Sequence, residues 1–266
     1  MTEAAVRFFP DTNIIVALIM REQRYWSSNV LFSDQIDKNR LPCTILPTIE
    51  AEFHSNLDKT IDFADELLVA FTQALNARKL YQTDQSKQLK MGREDVSKVE
   101  RSFTKVYRGI DSVTDLNIRR RKLVAYDLME ALIMDSWSQT LKEGREVSLD
   151  EFTDSLKAAI SEGRRSLEDG FLGLKRKLNH VDCDWTRDST IEADIRRFVH
   201  DPTDVPHVSM AIGYLRKHDA PAIYVTNDNE ILKASERLQN KFSVVVTRPA
   251  FAYAYSLGTP KKASAI

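Results

Sequence analysis

Arg7-Phe8-Phe9-Pro10-Asp11-Thr12-Asn13-Ile14-Ile15-Val16-Ala17-Leu18-Ile19 is the stretch that decides how the chain is read. One apolar run ends in a turn, Pro10 to Asn13, and a second apolar run of helical length follows. The pattern predicts a strand over 5–9 and a helix over 14–20. Asp11 then stands at the carboxyl end of a strand, beside a helix start. In open α/β sheets that edge is where ligands bind. A carboxylate there accepts backbone N–H groups from the helix N-terminus or takes a cation. Asp, Thr and Asn are also ordinary helix caps, so this stretch alone leaves both readings open.

Leu41-Pro-Cys-Thr-Ile-Leu46 reads as a second strand, with proline near its start, where it is tolerated. Pro47 opens a helix carrying Glu50, Glu52 and Phe53. Near the end of the chain, Asp201 to Asp204 lead into a helix over 205–217. Ala222 to Thr226 form a short apolar strand, and Asn227 to Glu230 open another helix to about 239. A last strand over 242–247 precedes a helix starting at Pro249. Strands alternating with helices predict a mostly parallel sheet with helices on both faces.

The middle of the chain has a different texture. Residues 61–71 and 123–133 carry apolar side chains at helical spacing, and Ser148-Leu-Asp-Glu151 is a capping box. The expected organisation is therefore an α/β core over 1–53 and 200–257, an all-helical insertion over 54–199, and a flexible tail over 258–266.

Composition narrows the function classes. The net charge of −1 means that any nucleic-acid affinity comes from a local basic patch. Two cysteines, Cys43 and Cys183, are too few for a disulfide scaffold, and neither sits in a metal-type pair. No stretch approaches the roughly 18 apolar residues of a membrane span, and the first residues lack a basic leader. A soluble, cytoplasmic protein without a membrane partner is expected. Neither Gly-x-Gly-x-x-Gly after the first strand nor a phosphate-binding Gly-Lys-Ser/Thr loop is present, which removes dinucleotide and P-loop readings.

Four acids recur at comparable places. Asp11 follows the first strand, Glu52 lies on the helix after the second, Asp204 starts a helix, and Asp228 follows the strand ending at Thr226. Carboxylates brought together repel and do not stay ionised without cations. Oxygen ligands of this kind suit Mg²⁺ or Mn²⁺, which polarise a phosphate and turn bound water into a nucleophile. Asp201 is a rival for the place of Asp204. Glu50 and Glu52 point about 200° apart on a helix, so only one of them can face such a site.

Phe9-Pro-Asp-Thr-Asn-Ile-Ile15, Pro47-Thr-Ile-Glu-Ala-Glu-Phe53, Asp204-Val-Pro-His-Val-Ser-Met-Ala211 and Tyr224-Val-Thr-Asn-Asp228 resemble, in order, the four motifs of PIN-domain (PilT N-terminus) ribonucleases. The resemblance covers 5–53 and 200–255, not the middle. It implies a Rossmann-like three-layer α/β/α sandwich. It also implies metal-dependent hydrolysis of phosphodiester bonds, usually in RNA, with Asp11, Glu52, Asp204 and Asp228 as the catalytic and metal-holding acids. Glu52 is favoured over Glu50 by its interval from Pro47 and by Phe53 after it. Toxins of toxin–antitoxin pairs, defence nucleases and RNA-processing nucleases are not separated by these motifs. A homodimer and an antitoxin or other protein partner stay open.

Thr12, Asn13, Thr226, Asn227 and Glu230 lie beside the acids and are expected to hold carboxylates or position water. His207 is read as an ordinary surface histidine. The densest basic run, Arg119-Arg120-Arg121-Lys122, is the expected grip on the RNA backbone. Both ends of the insertion leave the core beside the acids, which places this run over or next to the cleft. Two other readings compete: a non-catalytic RNA- or protein-binding module, and a structure-specific DNA nuclease.

Overall fold

The computed structural model describes residues 6–20, 29, 32–38, 41–79, 90–91, 96–115, 118–119, 121–127, 129–131, 134, 147–178 and 187–256. The chain divides into two compact units, 1–54 with 169–266, and 55–168. Residues 169–178 and 187–199 thus group with the first unit rather than with the middle of the chain.

In the first unit, β1 (Arg7–Pro10) pairs in parallel with β4 (Ala222–Val225), which pairs in parallel with β5 (Val245–Thr247). Phe8 faces Ile223 in register, and Ile223 faces Val245. Parallel strands are covered on both sides, so they read as unbroken apolar runs; Phe8, Phe9 and Tyr224 are fully buried. Each such side chain contributes roughly 1.5–3 kcal/mol by leaving water. Helix α1 (Thr12–Met20) follows β1 directly and buries Ile14, Ile15 and Ala17 completely. Helix α5 (Ser189–Ile195) is capped by Asp188, which accepts from the Thr190 and Ile191 amides. Helix α6 (Asp204–His218) precedes β4; its last turn carries Arg216, Lys217 and His218, which suit the negative end of the helix dipole. Two short helices, α7 (Asn229–Lys233) and α8 (Ser235–Phe242), lie between β4 and β5. A 3₁₀ turn, Pro249–Phe251, leads into α9 (Ala252–Ser256).

Two long helices contribute to both units. Helix α2 (Pro47–Lys79) begins in the first, and α4 (Leu149–Lys177) ends in it. Phe53 near the start of α2 stacks on Phe171 near the end of α4, with centroids 4.4 Å apart and planes at 9°. The second unit also holds α3 (Val96–Asp111) and a two-residue antiparallel ribbon, β2 (Lys90–Met91) with β3 (Val147–Ser148). The capping box forms as the sequence proposes. The Ser148 amide donates to Glu151 Oε2 at 2.9 Å, and the Glu151 amide donates to Ser148 Oγ at 3.1 Å.

The architecture corrects the sequence expectation. The described residues do not build a three-layer α/β/α sandwich on a sizeable sheet: they are mostly helical, and their parallel sheet has three strands of four, four and three residues. The predicted strand at 41–46 survives only as one bridge, Phe8 to Cys43. The Phe8 amide donates to Pro42 O at 2.9 Å, and the Thr44 amide donates to Phe8 O at 2.8 Å. The next rung on one side needs an N–H from Pro10, and the next on the other needs one from Pro42. Proline has none, so the ladder stops at a single bridge. The insertion is not all helical either, because the β2–β3 ribbon lies inside it. Strands of two residues are too short to show a period of two.

Candidate active site: an acidic cluster at the sheet edge

Asp11 sits where β1 ends. Its amide donates to Val225 O at 2.8 Å, which fixes the turn against β4. The carboxylate is buried and accepts four hydrogen bonds. Oδ1 takes the Thr12 amide at 2.7 Å and the Tyr224 hydroxyl at 3.0 Å; Oδ2 takes Asn13 Nδ2 at 2.5 Å and Thr226 Oγ1 at 2.6 Å. Burial raises the Asp11 carboxyl above its ordinary value, opposed by the hydrogen bond from Thr226. The same burial, with Asp11 alongside, pushes the Tyr224 hydroxyl well up, so it stays a donor.

Glu52 reaches the same place from α2. Its Oε2 accepts from Thr12 Oγ1 at 2.6 Å and lies 2.9 Å from His207 Nε2. Burial would raise this carboxyl, but the hydrogen bonds from His207 and Thr12 win and hold it low. Glu50 points elsewhere: both its oxygens meet Lys175 Nζ, at 3.0 and 2.9 Å.

Asp204 is the first residue of α6, and Thr203 occupies the cap position, so Asp204 is no cap. Its carboxyl is half-buried and has no hydrogen bond or ion pair among the described residues. Burial pushes it up to about 8, and Asp11, Asp201, Asp228 and Glu52 push the same way. Asp201, the rival, is exposed and folds back onto Thr203, accepting from its amide at 2.8 Å and its hydroxyl at 2.7 Å. Asp228 does cap a helix: Oδ1 accepts the Glu230 amide at 2.6 Å and the Ile231 amide at 3.2 Å. Its Oδ2 has no partner among the described residues. Glu230 accepts the amides of His200 and Asp201, holding the loop that leads to Asp204.

The polar neighbours form one network. Thr226 Oγ1 accepts the Asp228 amide at 2.9 Å while donating to Asp11, and Asn13 Oδ1 accepts the Asn227 amide at 3.3 Å. Asn227 Nδ2 donates to Asn29 Oδ1 at 3.2 Å. Four participants, Asn29, His207, Tyr224 and Thr48, were not assigned from the sequence. His207 is buried, with 4% of its surface exposed, rather than a surface histidine. Its spacing three residues after Asp204 was the available signal. Tyr224 was readable from strand alternation, two residues before Thr226. Thr48, whose Oγ1 lies 2.8 Å from His207 Nδ1, carried no signal.

Two residues of the basic run are paired with acids. Arg119 pairs with Asp111, and Lys122 pairs with Glu66 at 3.1 Å and lies 5.0 Å over the Phe63 ring. Arg120 lies outside the described residues.

Among the described residues no group of three or more His, Cys, Asp or Glu side chains is arranged to hold a metal ion. The donor chemistry nevertheless suits a hard cation. Asp204 feels the charge of four neighbouring acids and has no ion pair among the described residues, where Glu52 Oε1 and Asp228 Oδ2 also have no partner. Like charges so placed are relieved by an oxygen-loving divalent ion. No family model, curated protein or solved structure matches this chain. Among the described residues no helix is long and apolar enough to cross a membrane.

Proposed function

We propose that this chain is a divalent-cation-dependent endoribonuclease, hydrolysing RNA phosphodiester bonds at the cluster of Asp11, Glu52, Asp204 and Asp228. The observation that carries the reading is Asp204: a half-buried carboxyl raised to about 8, with four other acids acting on it and no basic partner among the described residues. A structural acid is normally paired or solvated. Acids drawn from four separate segments against their own repulsion point to a function. The resemblance of these four segments to PIN-domain motifs supplies the reaction class.

Asp204, Asp228 Oδ2 and Glu52 Oε1 would hold Mg²⁺ or Mn²⁺. The bound ion supplies Lewis-acid polarisation of the phosphate and a more acidic water. Asp11 anchors the turn through its four donors and sets the local negative charge. Thr12 links Asp11 to Glu52, and Thr226 links Asp11 to the amide of Asp228. Small displacements of reacting groups cost large factors in rate, which gives this network its purpose. Incubation of the purified chain with mixed RNA and DNA, in Mn²⁺, Mg²⁺ or EDTA, tests the reading. RNA cut only with metal supports it, DNA cut alone replaces the substrate, and full activity in EDTA removes it.

A further inference from the structure

His207 lies one turn into α6, three residues after Asp204. Residues three apart on a helix share a face, so the imidazole and the Asp204 carboxyl leave α6 on the same side. Thr48 and Glu52, four apart, share a face of α2 in the same way. The imidazole spans those two side chains, with Nε2 2.9 Å from Glu52 Oε2 and Nδ1 2.8 Å from Thr48 Oγ1. An ionised carboxylate only accepts, so Nε2 carries the proton. In the neutral ring, Nδ1 then accepts from the Thr48 hydroxyl. The other neighbour of that hydroxyl is Met210 Sδ at 3.4 Å, a weak acceptor. Both ring nitrogens are engaged, so the buried ring cannot turn without breaking two hydrogen bonds.

Glu52 Oε2 therefore has two donors, Thr12 and His207. Its other oxygen, Oε1, has none among the described residues. A carboxylate held by one oxygen presents the other in a fixed direction.

We propose that His207 is a positioning residue: locked by Thr48, it holds Glu52 so that Oε1 is presented to the acidic cluster, and cation affinity depends on a side chain that touches no cation. The proposal rests on reading the cluster as a cation site. Groups that orient ligands in this way typically change metal affinity about 10- to 100-fold when removed.

The test is Mn²⁺ affinity, followed by electron paramagnetic resonance, in the full chain. The set is wild type, His207→Ala, His207→Gln, Glu52→Gln, and His207→Ala with Glu52→Gln. His207→Ala should bind about 10- to 100-fold more weakly. His207→Gln, whose amide can donate to Glu52, should recover much of that loss. The double variant should bind no more weakly than Glu52→Gln alone, because His207 acts only through Glu52. Independent losses that multiply in the double variant overturn the proposal, as does wild-type affinity in His207→Ala. Should His207→Ala fail to fold, Thr48→Val breaks the lock from its far side and should weaken binding in the same direction; unchanged affinity there counts against the proposal. A wild-type chain that binds no Mn²⁺ overturns the cation reading and this proposal together, whereas a wild type that binds beside an indifferent His207 overturns this proposal alone.

Discussion

Thr226 donates its hydroxyl to Asp11 Oδ2 across 2.6 Å, joining two residues 215 apart in the sequence and tying the end of β1 to the end of β4. The same oxygen accepts the Asp228 amide at 2.9 Å, so one hydroxyl serves two acids of the cluster.

Thr226→Val should therefore be costly although it keeps the shape. It leaves the buried Asp11 short of a donor and the Asp228 amide without its acceptor. The expected loss is about 1–3 kcal/mol. Thr226→Ser should retain most of the stability. Urea unfolding of the two variants decides; equal midpoints would show that the hydroxyl is idle.

Asp204 gives a pH dependence of definite sign. Its carboxyl is raised from 3.8 to about 8 on folding, so the folded chain binds the proton more tightly than the unfolded chain. This group is harmless below the unfolded value. It costs stability as pH rises from about 4 to about 8, and the cost levels off above that. Partial exposure reduces the effect, leaving a cost on the order of a few kcal/mol. Asp204→Asn should accordingly make the metal-free chain more stable at pH 8.5, with little change at pH 4. Thermal unfolding of wild type and variant in EDTA across that range measures it, and parallel curves would contradict it.

The two glutamates of α2 should separate cleanly. Glu52 shares the Thr12–Asp11 network, whereas Glu50 pairs with Lys175. Glu52→Gln should abolish metal-dependent cleavage. Glu50→Gln should leave the rate near wild type and lower stability by less than about 1 kcal/mol, the usual range for a partly exposed ion pair. The two cleavage rates, measured at saturating metal, test the assignment.

How much of this was legible follows from the interactions that do the holding. Asp11, Glu52, Asp204 and Asp228 stood out because each lies beside a strand end or a helix start, and those junctions have sequence signals. The sheet was overestimated because Leu41 to Leu46 has a strand's composition, whereas its pairing depends on N–H groups that Pro42 and its partner's Pro10 lack. The role of His207 was hidden because burial of a histidine depends on contacts with α2, more than 150 residues away in sequence. For the basic run, composition shows Arg119 and Lys122, while only the fold shows Asp111 and Glu66 beside them.

That last pairing yields its own expectation. Side chains already matched by acids release few counterions on binding a phosphate backbone. Replacing Arg119 and Lys122 with alanine should change the slope of log K against log salt for RNA by less than about one unit. A fall of about two would mean that both side chains contact phosphates directly.

The central claim is that the acidic cluster works as one cation-dependent catalytic site. The most direct measurement is RNA cleavage as a function of Mn²⁺ concentration, with EDTA controls, for wild type, Asp228→Asn and Asp204→Asn. Saturable, EDTA-sensitive cleavage by wild type is predicted, with both variants at least about 100-fold slower at saturating metal, a loss of about 2.7 kcal/mol in barrier terms. Cleavage that ignores EDTA, or near-normal rates in both variants, would contradict the account.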